Sequence, residues 1–249
     1  MAAKQGANIV IAAKTDTPHE KLSGTIHTVA KEVEECGGKA LPVVVDVRDD
    51  TAIDNAVAQA VEKFGGIDVL INNASAIILK NVENIEMKHY DLMMDVNARG
   101  TYSGIRACLP WLKKSDSAHI ITLSPPINLN PQWLGISPAY AMSKYGMTLV
   151  TLGAAAELRS CGVQANTIWP QTLIGTAAIE YNFPEQYPFT RKPQIVADAV
   201  EALITKLPKD TTGQAFVDEE ILKQCGIMDF EQYRTNAENK PATDLFLDS

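Results

Sequence analysis

Residues 40 to 73 read ALPVVVDVRDDTAIDNAVAQAVEKFGGIDVLINN, and this stretch decides the fold. It opens with Leu41, Val43, Val44 and Val45, a short apolar run rich in β-branched residues that suits a buried strand. Asp49-Asp50 can then cap a helix, and Ile53, Ala56, Val57, Ala60, Val61 and Phe64 recur at the spacing of one helical stripe. Gly65-Gly66 stops that helix, and Ile67 to Ile71 is a second apolar run. Two strands joined by a helix need a crossover connection, so they lie parallel in a sheet covered by helices.

The same alternation runs outward in both directions. Six strands are predicted, at Asn8 to Ala13, Ala40 to Val45, Ile67 to Ile71, Ala118 to Leu123, Val163 to Trp169 and Gln214 to Val217, each rich in Ile, Val or Leu. Helices are predicted at about Pro18 to Cys36, with Ile26, Val29, Ala30 and Val33 on one stripe, at Met87 to Lys114, at Ala139 to Ser160 and at Pro193 to Leu207. Pro170 to Lys192 is irregular and long enough to be a lid over a site. Residues 1–218 therefore read as one α/β domain, a Rossmann-like doubly wound parallel sheet. Residues 219–249 are acidic and weakly patterned, and read as a tail or linker.

Composition narrows the function. The 249 residues include 22 Lys and Arg against 30 Asp and Glu, a net charge of −8 without a basic run, which argues against a nucleic-acid partner. No apolar stretch reaches membrane-span length, and the first residues do not lead into a signal peptide, so a soluble intracellular protein is expected. Cys36, Cys108, Cys161 and Cys225 are scattered, and the histidines form no ligand pairing. Neither disulfides nor a metal site is expected.

Ligands of open parallel sheets bind beyond the carboxyl ends of the strands, where this chain offers Asp46, then Asn72-Asn73-Ala74-Ser75, then Ser124. The sharpest local signal is Tyr140-Ala-Met-Ser-Lys144. Its i, i+4 spacing stacks a phenol and an ammonium on one helical face, and the cation favours the phenolate, moving its pKa toward neutrality where proton transfer is efficient. The same pair on a solvated helix face would carry no chemistry, so its surroundings decide.

Those surroundings resemble the short-chain dehydrogenase/reductase family, with the motifs in order from Asn8 to the strand near Phe216. Asp46, Asn73 and Ala74 in the Asn72-Asn73-Ala74-Ser75 turn, Asn97, Ser124, Tyr140 and Lys144 occur in the family's sequence. The resemblance implies that Ser124 hydrogen-bonds the substrate oxygen, Tyr140 donates or accepts the proton, Lys144 lowers its pKa and Asn97 holds a relay water, while a nicotinamide cofactor carries the hydride. It also implies cofactor contacts at Asp46, Asn73, Ala74, Tyr140, Lys144, Pro170 and Thr172. Three departures stand out: Ser75 and Gln171 replace glycines, and Ser124 lies farther than usual from Tyr140. Lys14, at the end of the first strand read here, would attract a ribose 2′-phosphate, favouring NADP over NAD, although Asp16 nearby points the other way.

The family's first strand and glycine-rich phosphate loop are missing from this reading, since no glycine run of the GxGxxG kind occurs. The expectation is a truncated, weakened or inactive form of an oxidoreductase that interconverts a carbonyl and an alcohol on an apolar, steroid-like or fatty substrate. If complete it would be a homo-oligomer, and the resemblance implies a peroxisomal or mitochondrial home. The competing readings are a non-catalytic remnant that serves as an interaction or dimerisation module through its two long helices, and a lipid-handling scaffold.

Overall fold

A computed structural model describes residues 2–18 and 24–248, the side chain of Asn182 excepted. Among the described residues there are six strands, all paired in parallel. β1 (Asn8–Ala13) pairs with β2 (Lys39–Val44), while β3 (Val69–Asn72), β4 (His119–Leu123), β5 (Gln164–Trp169) and β6 (Ala215–Val217) form a second sheet in that order. Among the described residues no ladder joins the two sheets, so β1 and β3 each present an unpaired edge. Pro42 sits inside β2 without harm, because an edge strand can spare one N–H.

The helices follow their caps. Asp49 accepts from the amides of Thr51 and Ala52 at 2.9 and 3.2 Å and so starts the helix at Asp50. The first two helices are α1 (Ile26–Glu35) and α2 (Asp50–Phe64), and left-handed Gly65 ends the second. The first helix begins later than its expected start at Pro18. Thr25 and Thr28 form a reciprocal cap there, and the intervening residues 19–23 lie outside the described ones. The expected helix from Met87 to Lys114 proves to be three segments end to end: α3 (Met87–Met93), a π-helical turn over Met94–Arg99, and α4 (Gly100–Leu112). A short α5 (Pro131–Ile136) precedes α6 (Pro138–Leu158), and α7 (Ala177–Asn182), α8 (Gln194–Thr205) and α9 (Asp218–Gln224) complete the set.

Neighbouring residues of β4 look to opposite faces. Ile120 packs with Ile105, Leu112, Leu158 and Ala165, and Ile121 packs with Ile168, Ile195, Leu203, Ile221 and Leu222. Two of those side chains correct the reading of residues 219–249 as a tail or linker. Helix α9 buries Ile221 and Leu222 completely, and Phe246 is only 4% exposed in a separate aromatic cluster. The segment is weakly patterned because its apolar residues reach the core singly, from short turns, rather than along one periodic stripe.

Candidate active site

Helix α6 carries Tyr140 and Lys144 inward. Gly146 lets it approach the π-helical turn so closely that an added Cβ would meet the Ala98 Cβ at 2.9 Å. Both reactive groups are buried, Tyr140 to 5% and Lys144 to 2% exposure. Lys144 Nζ donates to the Leu123 carbonyl at the end of β4, at 2.5 Å, and lies 5.0 Å from the centre of the Trp169 ring.

The π turn presents Asn97 to the same place, as such bulges often do at functional sites. Fully buried Asn97 accepts from the Ala76 amide at 2.7 Å and donates to the Ala76 carbonyl and to Ser143 Oγ, both at 2.9 Å. Ser143 in turn donates to the Tyr140 carbonyl at 2.8 Å. The Asn97 amide, expected to hold a relay water, ties the loop after β3 to the turn of α6 bearing Tyr140. Ser124 is likewise fully buried, with its Oγ 2.9 Å from Thr148 Oγ1. Among the described residues it makes no hydrogen bond to Tyr140. Thr148 draws it because α6 runs beneath the loop at Pro125, whose carbonyl also accepts from Thr148 at 2.7 Å.

The electrostatics also depart from expectation. Burial, and after it the Asp244 carboxylate, push the Tyr140 phenol above its usual range rather than below it. Burial brings Lys144 down to about 7, with Asp244 opposing that shift, and raises Asp244 to about 7. Burial disfavours the charged form of both groups, so the nearness of the ammonium alone does not make this phenol acidic. Asp218 is pushed up to about 6 by burial, against hydrogen bonds from the Gln171 and Glu219 amides.

The remaining expected residues spread along the strand ends. Lys14 follows β1 and is exposed, as are Asn73 and Ala74 after β3. Asp46 follows β2, and the Arg48 guanidinium grips it at 2.6 Å and holds its carboxyl down at about 2. Pro170 and Thr172 follow β5 and are buried, and Thr172 Oγ1 has no hydrogen-bond partner. A nicotinamide and its ribose fit this end, where Lys144 and the partnerless Thr172 hydroxyl offer polar contacts beside an apolar wall. Among the described residues, no glycine-rich turn follows a strand at this end to hold a pyrophosphate.

What covers Tyr140 was missed. Residues 170–192, expected to be a lid, close on themselves through Gly175 and Arg191, which exchange hydrogen bonds with Arg191 and Leu173 carbonyls at 2.8 and 2.9 Å. The cover is the chain's last described segment, with the Phe246 ring centre 5.9 Å from that of Tyr140. No local pattern could have announced this contact, which spans more than a hundred residues.

A family model described as short chain dehydrogenase matches residues 1–186. The chain belongs to the short-chain dehydrogenase family. Hydroxysteroid dehydrogenase-like protein 2 of Homo sapiens is 51% identical over 248 residues, 99% of this chain and 59% of that protein. The Danio rerio protein of the same name gives the same figures. The chain thus spans well under two thirds of the length of these curated relatives. A short chain dehydrogenase structure from Mycobacterium thermoresistibile superposes with a TM-score of 0.94 at 46% identity, over 99% of this chain and 88% of that one. Family membership accounts for the order in which Asp46, Asn97, Tyr140 and Lys144 occur along the chain. Among the described residues, no helix is long and apolar enough to cross a membrane.

Proposed function

We propose that this chain is the reacting part of an oxidoreductase that interconverts a carbonyl and an alcohol on an apolar substrate, with NADP(H) preferred over NAD(H). The observation that carries the reading is the burial of Tyr140 and Lys144 on one face of α6, against an aromatic wall, at the carboxyl ends of β3 to β5. A bound nicotinamide supplies or accepts the hydride. Tyr140, held as a neutral phenol, gives its proton to the substrate oxygen during reduction. Asn97 positions it through Ser143, and Lys144 spans from the Leu123 carbonyl to the place where a ribose would lie. Trp133, Tyr145 and Trp169 exclude water and favour a ring or alkyl group. Ser124, turned to Thr148, supports the loop at Pro125 and is not needed to touch substrate.

Lys14 at the tip of β1 supports the NADP preference, since its ammonium is exposed where a 2′-phosphate would lie. Tyr102 on α4 and Met142 and Leu149 on α6, apolar side chains each more than half exposed, support the homo-oligomer. Turnover of a long-chain aliphatic ketone and a 3-ketosteroid, followed by NADPH oxidation, tests the reading. Tyr140→Phe should lower the rate by roughly 10² to 10⁴-fold and leave NADPH binding nearly unchanged. Retained turnover in that variant removes Tyr140 from the mechanism.

A further inference from the structure

We propose that residues 245–248 are a releasable lid, latched by Asp248, whose Phe246 ring fills the apolar subsite beside Tyr140 that a flat ring or alkyl group of the substrate takes when the lid opens. The identity of that subsite as the substrate's rests on the reading of Tyr140 given above. The lid itself rests on geometry alone.

Phe246 is boxed by aromatic rings. Its centre lies 5.3 Å from that of Tyr145, 5.9 Å from Tyr140, 6.1 Å from Trp169 and 6.5 Å from Trp133. Such a box, dry and lined by ring faces and edges, accepts another flat apolar group of similar section. Outside it, Leu79, Ile127, Leu129 and Ile136 are all at least 41% exposed, which gives an apolar ligand a path to the entrance. Leu79, Trp133, Ile136 and Phe246 meet beside Tyr140 with no room left for a water molecule, so the box is full while Phe246 occupies it.

The way the segment is attached changes abruptly after Asp244. Up to that point the backbone is stitched down: the Leu173 amide donates to the Ala242 carbonyl at 3.0 Å, the Ala242 amide to Phe189 at 2.8 Å and the Asp244 amide to Gln171 at 3.2 Å. Beyond it, among the described residues, every hydrogen bond to the rest of the protein comes from a side chain of the rim. Trp169 Nε1 donates to the Leu245 carbonyl at 2.9 Å and Asn128 Nδ2 to the Phe246 carbonyl at 3.0 Å. The Asp248 carboxylate accepts from Asn128, Asn130, Gln132 and Trp133 at 2.9 to 3.2 Å. These last bonds are water-exposed and each exchanges readily with solvent. Phe246 also sits at a φ of 70°, a left-handed conformation that a bulky aromatic residue rarely adopts and that is relieved on release. A hinge at Asp244, a strained plug and an exposed polar latch make a two-state element.

Asp248→Ala removes the latch and leaves every ring of the box in the chain, and Asp248→Asn keeps the side chain's shape while removing its charge. The probes are 1-anilinonaphthalene-8-sulfonate binding and acrylamide quenching of tryptophan emission, neither of which needs turnover. Asp248→Ala should bind the dye about tenfold tighter than the parent chain and double the quenching, with Asp248→Asn between the two. Phe246→Ala, which empties the box directly, should match or exceed the alanine latch variant. Parent-like dye affinity and quenching in both Asp248 variants would overturn the lid. Opening by these measures combined with full turnover in Tyr140→Phe would leave the lid standing and overturn the assignment of its box to the substrate.

Discussion

Strands β1 and β5 invert what composition alone suggests. β1 is Asn-Ile-Val-Ile-Ala-Ala and half of its residues are exposed, whereas β5 is Gln-Ala-Asn-Thr-Ile-Trp and every residue is buried. The difference is in their neighbours. β5 is paired on both sides and covered on both faces, and its polar groups are absorbed: Asn166 donates to the Thr211 carbonyl at 2.8 Å and accepts from the Gln214 amide at 3.0 Å. β1 pairs with β2 alone, and β3 facing the other way leaves Ile71 46% exposed. Burial here follows pairing, and polar residues are tolerated wherever the ladder supplies partners.

The strongest way to break that contrast is to pair the free edges. A version of the chain extended at its amino end by one more apolar strand and a glycine-rich turn, able to lie between β1 and β3, should gain stability on the order of 10 kcal/mol as an upper bound from burial of about six side chains. Urea unfolding and amide exchange at Ile9 to Ile11 and Val69 to Ile71 measure it, and equal stability and exchange in both versions would refute the account. A smaller effect separates the strands by substitution. Ile168→Ala in β5 should destabilise the chain by about 2 to 5 kcal/mol, and Ile9→Ala in β1 by under about 1, in the same urea titration.

Acidity sharpens the comparison on the paired side. Asp218 follows β6 with its folded pKa raised to about 6 from 3.8, so between those values the folded state holds the extra proton. Stability contributed by this group is therefore full below about pH 4 and is lost as pH rises through 6, by up to about 3 kcal/mol. Asp218→Asn, which keeps the acceptor for the Gln171 amide, should flatten the change in melting temperature between pH 4 and 7. An unchanged profile would place the titration elsewhere. The smallest effect belongs to the exposed side, where Lys14→Glu should shift the ratio of NADPH to NADH affinity about tenfold toward NADH, roughly 1.4 kcal/mol, by fluorescence titration. No shift would remove Lys14 from cofactor selection.

Much of this was readable from residues alone. The six strands, their parallel order and the inward face of α6 follow from periodicity and caps, because a strand or helix stripe is a local property of the chain. Asn97, Tyr140 and Lys144 could be singled out from the motif order along the chain, and the structure links Asn97 to the turn of α6 that carries Tyr140. What local reading could not supply was company: Asn97 spending its amide on Ala76 and Ser143, Ser124 turning to Thr148, and a weakly patterned terminus putting Phe246 on Tyr140. Each depends on contacts between distant residues. The reversed shift of the Tyr140 phenol has the same origin, since spacing gives the proximity of a cation and not the dryness around it.

The π turn at Met94–Arg99 carries one residue more than a regular helical turn, so the rod beyond it is rotated by about 100°. That offset lets Asn97 grip the loop while Gly104, farther along, seats against Asn72, where an added Cβ would come within 3.0 Å of Oδ1. The span from Met87 to Leu112 is consequently length-locked: side chains along it can be exchanged, but losing a single position would turn its two ends out of phase.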